Sequence, residues 1–378
     1  MLSSHSNAFP FAPLHFRAIQ RCLSYNLRNS SSWDEICHLD EDALKDLLWW
    51  SHCPLDLPPL SFKEFVPSIT LSTDASLSGW GGTLSSGSSA SGHWSLEEKQ
   101  LHINMLELKA IKFCVLSFLD LLRNQSMLLL SDNSSCVFYI NKFGGTHSKE
   151  MCNLSIEIWD IMIKNNITCL AKHIPGVDNS SADSLSRLSP TPNDFGLSQT
   201  AFNLLTSLIP FELNVDMFAS RLSNKLERFV SWHNDPFSWR VDAFSFRWSH
   251  NLYFFPPISL IGKVVKKFKS DGATNSILIT PLWRSLQPLP TILEMLIDDP
   301  ICISHSSLVG SLPCRRPFNL MAWPISTNVA DTREYRRRLL PPSSVASEML
   351  LLERIPDIGK SFIRTLLGEG IKVKSIFP

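Results

Sequence analysis

Apolar side chains first fall into register between residues 40 and 50. Leu44, Leu47 and Leu48 lie on one side of a helical turn that opens with acidic residues, which predicts a helix over 40–50. Trp49-Trp50 ends it, and Pro54, Pro58 and Pro59 stop any continuation. Residues 1–32 are rich in Ser, Asn and Phe without a steady period and are expected to be loosely structured. From residue 68 the pattern changes to short strands, over 68–76, 79–84 and 91–95, the last two joined by a Gly/Ser turn into an antiparallel meander. A long helix is predicted over 104–123. The apolar run at 127–130 reads as a central strand, because such strands are covered on both faces. Helices follow over 133–141 (stopped by Gly144-Gly145) and 148–164, then a strand over 167–173, and Asn179 is placed to cap a last helix. The order β-β-β-α-β-α-α-β-α predicts an α/β fold: a mixed five-stranded sheet with helices on both faces.

The pattern then breaks. Ser189-Pro190-Thr191-Pro192-Asn193 reads as a linker, extended to residue 210. A second, smaller α/β domain is expected over 211–300, with strand patterns around Asn214-Val215-Asp216, Val241-Asp242-Ala243-Phe244, 251–255 and 276–280 and a helix over 258–269. Trp232, Trp239 and Trp248 lie within it. The expected organisation is therefore a flank over 1–66, a domain over 67–188, a linker over 189–210, a domain over 211–300 and a flank over 301–378. That last flank turns basic from Arg315, with Arg333 and Arg336-Arg337-Arg338; it is either a solvated helix face or a nucleic-acid-contacting tail. A further helix is expected within 355–367. No repeats are found.

Composition narrows the function classes. With 378 residues and 44% hydrophobic content the chain can build real cores. Lys+Arg and Asp+Glu both number 35, so the basic surplus of a strong, autonomous nucleic-acid binder is missing. Nine cysteines without a Cys-x-x-Cys pair suit a reducing, intracellular compartment, cytoplasmic or nuclear, and give no zinc site. The first residues lack the basic start and apolar core of a secretory leader, and charges interrupt every apolar run, so no membrane partner is expected. In that setting Asn133-Ser134-Ser135 is a chance glycosylation triplet.

Four carboxylates hold the candidate chemistry. Glu107 shares a helix face with Ile111, Cys114 and Phe118. It either snorkels out at the helix end or faces the sheet, where an unpaired charge is costly. Asp74 and Asp132 each end a predicted strand, and parallel pairing of those strands would bring both to one sheet edge. Asp183 stands in the first turn of the last helix, where the dipole favours an anion. Singly each acid has an ordinary structural explanation. Together they repel: like charges about 4 Å apart cost roughly 4 kcal/mol per pair at an effective dielectric near 20. Such a cluster needs protons or cations, and hard oxygen ligands suit Mg²⁺ or Mn²⁺. Two such ions about 3.5–4 Å apart suit phosphodiester hydrolysis.

Thr73-Asp74-Ala75-Ser76 with Gly79-Trp80-Gly81, Asn104 to Lys109, Ser131-Asp132-Asn133 and the stretch from His173 to Arg187 together resemble the ribonuclease H domain of retroelement reverse transcriptases, the DIRS type above all. The resemblance implies that Asp74, Glu107, Asp132 and Asp183 hold two Mg²⁺ or Mn²⁺ ions and cleave the RNA strand of an RNA–DNA hybrid. It implies a proton-transfer or product-release role for His173, against the alternative of a strand-end histidine bonded to the backbone. Asn104, Asn133 and Asn179 are candidate contacts to the hybrid, which such an enzyme reads by shape and 2′-OH groups. The turn Phe143-Gly144-Gly145-Thr146 stands where some relatives carry a basic protrusion, so help from a polymerase partner is expected.

The second domain resembles the adenine-methyltransferase-like region of DIRS-type elements. Active amino-methyltransferases carry Asp/Asn-Pro-Pro-aromatic; here Phe255-Pro256-Pro257-Ile258 occupies those positions, and Phe255 cannot accept a hydrogen bond from a target amine. An inactive remnant is expected, with Asp216 in a turn or at a cofactor. No Tyr-x-Asp-Asp of a polymerase is present, and no complete recombinase site. The chain reads as the C-terminal part of an element polyprotein. The alternative to the nuclease is a catalytically silent fragment that binds nucleic acid or a polymerase partner.

Overall fold

The structure, a computed structural model, describes residues 11–29, 36, 38–52, 64–188, 195–283, 285–310, 318–338 and 371–376. These fall into two compact units, one within Met1–Ser189 plus Asn234–Pro236, the other within Pro190–His233 and Phe237–Pro378.

The first unit opens with two helices, α1 (Arg17–Asn29) and α2 (Glu41–Ser51). Helix α2 begins where its acidic start signal placed it, with Asp40 accepting from the Ala43 N–H. Helix α1 corrects the expectation of a loose segment over 1–32. Its start signal is remote: Asp46, on α2, accepts from the Ala18 and Ile19 N–H groups at 2.9 and 3.3 Å. Ala18 and Cys22 bury against Ala43, one turn apart on one face.

The sheet follows: β1 (Ile69–Ala75), β2 (Gly79–Leu84), β3 (Ser89–His93), β4 (Ser126–Ser131) and β5 (Thr168–His173), in spatial order β3-β2-β1-β4-β5. β1 pairs antiparallel with β2 and parallel with β4, and β4 pairs parallel with β5. The expected mixed five-stranded α/β sheet is present. Between these strands run α3 (Ile103–Ser117), α4 (Leu119–Leu122), α5 (Ser134–Asn141) and α6 (Lys149–Lys164), and α7 (Ser180–Ser186) closes the unit. The expected single helix over 104–123 is broken at Phe118, whose N–H turns back to Cys114 O and Leu116 O.

The glycines of β2 explain how helices cover both faces. A Cβ on Gly82 would sit 2.4 Å from Cys114 Sγ of α3, and one on Gly81 would sit 2.4 Å from Leu185 Cβ and 2.8 Å from Ser186 N of α7. Adjacent strand residues point to opposite faces, so α3 and α7 lie on opposite sides of the sheet. Without side chains between them, both helices approach the backbone closely.

The second unit contains β6 (Phe195–Leu197), α8 (Gln199–Leu208), β7 (Val215–Asp216), β8 (Val230–Ser231), β9 (Arg240–Val241), β10 (Leu252–Phe254), α9 (Ile261–Asp271), β11 (Ser276–Pro281), α10 (Leu289–Glu294), β12 (Ile301–Ile303), β13 (Leu308–Gly310), β14 (Leu320–Ile325), α11 (Val329–Arg338) and β15 (Lys374–Ile376). Six strands form one mixed sheet, β15-β12-β14-β11-β10-β7. Alternate residues feed two cores: Phe254, Leu278 and Met321 join Val264 and Phe268 of α9, whereas Tyr253, Ile277 and Ala322 join Phe202 and Leu205 of α8. Two boundaries are corrected. Residues 195–208 are not linker, since β6 pairs with β13 and α8 covers a sheet face. The sheet also continues past residue 300 through β12, β14 and β15. The expected linker at 189–193, the Pro breakers at 54–59, Arg315 and the helix expected within 355–367 lie outside the described residues.

Candidate active site

Parallel pairing of β1 and β4 sets the site. Asp74 lies at the C-terminal end of β1, and Asp132 follows β4 directly, so both emerge at the same sheet edge. Glu107 arrives from α3 on one face. One carboxylate oxygen from each of Asp74, Glu107 and Asp132 lies within 4.8 Å of the others. Glu107 faces the sheet and does not snorkel: it is 6% exposed, and its Oε2 is buried without a hydrogen-bond partner among the described residues. Burial, reinforced by the charges of Asp74 and Asp132, pushes its carboxyl up to about 9. Burial also raises Asp74, against the hydrogen bond from Ser186, while Asp132 and Asp183 add to the rise.

Asp183 stands outside this trio. It approaches from α7 on the other face, and its Oδ1 is paired with Arg187 Nε at 2.7 Å, one turn further along the helix. It is close enough to act on Asp74 electrostatically. Ser186 joins the two, donating to Asp74 Oδ2 at 2.6 Å from the same helix turn. The structure thus brings three of the four expected acids together and sets the fourth beside them.

His173 ends β5, opposite Ser131, with Nε2 3.0 Å from the Asp132 carbonyl oxygen. Its ring is exposed at the rim and tied to the backbone of a cluster residue. Asn133 caps α5, accepting from the Cys136 N–H, and donates to Asn104 Oδ1 at 3.0 Å. Asn179 is a correction. It stands before α7 but its side chain does not cap it, and it is buried, at 2% exposed. It donates to the Thr73 carbonyl at 2.9 Å, where the buried strand end offers an acceptor.

Three residues of the site were given no role by sequence reasoning. Ser186 was findable, since it lies three positions after Asp183 on one helix face. Arg187 was likewise one turn from Asp183. Gly176 was not, because its role depends on tertiary approach: a Cβ there would come within 3.2 Å of Asp132 Oδ2.

In the second unit Asp216 is 2% exposed and accepts from the Lys225 N–H at 3.0 Å and the Phe218 N–H at 3.4 Å. Its role is to hold a turn. Among the described residues, the one carboxylate, histidine or cysteine group suited to a metal ion is the trio above. No helix among them is long and apolar enough to cross a membrane.

No family model matches the chain, and no curated protein matches it. Solved structures do. LC11-RNase H1 in complex with an RNA/DNA hybrid is 17% identical over 31% of this chain and 93% of its own, with a TM-score of 0.27. RNase H1 from the halophilic archaeon Halobacterium salinarum is 13% identical over 31% and 91%, at 0.26. A foamy viral protease-reverse transcriptase in complex with double-stranded DNA is 11% identical over 46% of this chain and 32% of its own, at 0.22.

Proposed function

We propose that the first unit is a divalent-metal-dependent endoribonuclease of ribonuclease H type, hydrolysing the RNA strand of RNA–DNA hybrids. The observation that carries this reading is the trio Asp74, Glu107 and Asp132, together with a buried Glu107 oxygen that no hydrogen bond satisfies among the described residues. A carboxylate pushed to about 9 holds a proton at neutral pH unless a cation replaces it. All-oxygen donors suit Mg²⁺ or Mn²⁺. The trio would hold one ion, and Asp74 with Asp183 a second. Such ions supply Lewis-acid activation of water and stabilisation of a leaving oxygen. Ser186 keeps Asp74 oriented and ionisable. His173 stands at the rim, within reach of solvent and of a bound strand. The sequence resemblance to retroelement ribonucleases H supports the substrate class, an intracellular setting and a polymerase partner. It likewise supports reading the second unit as a methyltransferase-like remnant without methyl transfer, given Phe255 after β10.

The second reading, a silent binding fragment, is favoured by one observation: Arg187 occupies Asp183. One experiment separates the two. End-labelled RNA–DNA hybrid is incubated with the full chain and Mg²⁺ or Mn²⁺, alongside Asp132→Asn. The nuclease reading expects RNA cleavage by the parent and none by the variant. Binding without cleavage under either metal selects the silent fragment, and equal cleavage by the variant rejects the assigned acids.

A further inference from the structure

The second unit carries an aromatic and cationic platform that the carboxylate site does not use. Strands β8 and β9 pair in parallel, Val230 with Arg240 and Ser231 with Val241. Val230 and Ser231 are buried, whereas Arg240 and Val241 face solvent, so β9 is the outer strand. The Trp239 N–H bonds Phe229 O and the Asp242 N–H bonds Ser231 O, each at 2.8 Å, which pins both ends of the short ladder. Asp242 takes a left-handed φ of 57° and accepts from the Phe244 N–H at 2.9 Å, fixing the following loop.

On this frame the Arg240 guanidinium stacks 4.7 Å from the Trp239 ring and 4.8 Å from the Phe246 ring, and the two rings meet edge-on at 5.7 Å. Arg240 has no carboxylate partner among the described residues. Trp239 is 44% exposed and Trp232, just past β8, is 59% exposed. Leaving two tryptophans in water costs free energy that a monomer would recover by burying them. Trp232 lies three strand positions from Trp239, an odd step that puts the two on opposite faces of the ladder, so Trp232 is not part of the platform. A stacked arginine keeps a planar edge of N–H donors pointed outward, matched to phosphate oxygens, and loses little freedom on binding. The exposed Trp239 ring beside it offers a stacking surface to a base. Base faces are hidden inside a duplex, so such a surface selects unpaired strands.

We infer that Arg240 and Trp239 form a binding site for single-stranded nucleic acid, with Arg240 on a phosphate and Trp239 under a base. The proposal does not rest on the nuclease reading.

The test uses the full chain carrying Asp132→Asn, in EDTA, so that cleavage cannot intervene. Anisotropy of fluorescein-labelled oligo-dT and oligo-U is followed at several salt concentrations, with unlabelled duplex as competitor. Trp239→Ala is expected to weaken binding by about five- to a hundredfold, whereas Trp232→Ala, on the other face, is expected to leave it unchanged. Arg240→Ala is expected to weaken it and to lower the slope of log affinity against log salt by about 0.7, the value of one lost phosphate contact on a single strand. Unchanged near-ultraviolet circular dichroism shows that each variant is folded; Trp239→Phe, which keeps a ring, is expected to retain most of the binding. No binding by the Asp132→Asn chain at low salt, binding unaffected by both Trp239→Ala and Arg240→Ala, or displacement by duplex as readily as by single strands would overturn the assignment. The first two outcomes would leave a protein-facing surface instead.

Discussion

Ser186 and Asp74 are 112 positions apart in sequence, yet the serine hydroxyl lies 2.6 Å from the Asp74 carboxylate. The same oxygen is 2.9 Å from the Asp183 carbonyl, which competes for its single hydrogen, and the shorter contact goes to the acid. This bond is what opposes the burial that raises Asp74. Ser186→Ala removes it. Hydrogen bonds to a charged group contribute about 1.5–3 kcal/mol, so a loss of about tenfold or more in Mn²⁺ affinity is expected. Calorimetric titration at pH 6 and pH 8 reads it. Since the bond works against the rise of Asp74, the deficit should be smaller at the higher pH; a deficit independent of pH would mean that Ser186 acts on shape alone.

Glu107 makes stability depend on pH in a direction opposite to ordinary acid denaturation. An unfolded glutamate ionises near 4.5, whereas the folded one does so at about 9. Between those values the folded protein keeps a proton that the unfolded chain has released, so stability falls as pH rises through the window. The contribution is fully present below about 4.5 and lost by about 9; Asp74, raised as well, adds the same sign. In EDTA the melting temperature should therefore decline from pH 5 to pH 9 more steeply in the parent than in Glu107→Gln. Mg²⁺ should restore the parent at high pH and leave the variant little changed. Parallel melting curves for the two proteins would show that Glu107 is not the proton holder.

The parts of this molecule that local chemistry specifies were legible in its sequence. The acidic start at Asp40 and the run from Ser148 placed two helices where they stand, each capped by that residue's side chain, and the strand runs before Asp74 and Asp132 gave the two acids their common edge. The illegible parts depend on distant partners. Helix α1 takes its cap from Asp46, 28 positions away, so no local signal marks its start. Residues 195–208 looked like linker because β6 gains its meaning only when paired with β13 more than a hundred residues later. Asn179 looked like a cap or a substrate contact, and only the folded chain offers it the Thr73 carbonyl.

Asp46 should behave as a remote cap. Its Oδ2 accepts two of the N–H groups that the first turn of α1 cannot satisfy internally. Replacing a capping acid by alanine costs about 1 kcal/mol. Asp46→Ala should lower stability by that amount and speed hydrogen exchange at the Ala18 and Ile19 amides before the sheet amides change. Acceleration spread evenly over the whole first unit would show instead that α1 and the sheet unfold together.

Gly81 separates packing from chemistry in one substitution. A methyl group there would meet Leu185 Cβ at 2.4 Å, Ser186 N at 2.8 Å and the Ala182 carbonyl at 2.9 Å. Two of those atoms are backbone, so α7 must move away from β2. Ser186 and Asp183 ride on α7, and their relation to Asp74 depends on its seat. Gly81→Ala should cost about 1–3 kcal/mol through overpacking and reduce cleavage of labelled hybrid further than the stability loss explains. Gly262, near the start of α9, makes the contrast: a Cβ there meets nothing within 4 Å. Gly262→Ala should stabilise by about 0.5 kcal/mol, since the unfolded chain loses more freedom than the folded one, and leave cleavage unchanged. Urea unfolding gives both stabilities, and cleavage of the hybrid under conditions where every variant is folded gives the activities. Full activity in Gly81→Ala would mean that the position of α7 does not govern the site and that Asp183 takes no part in it.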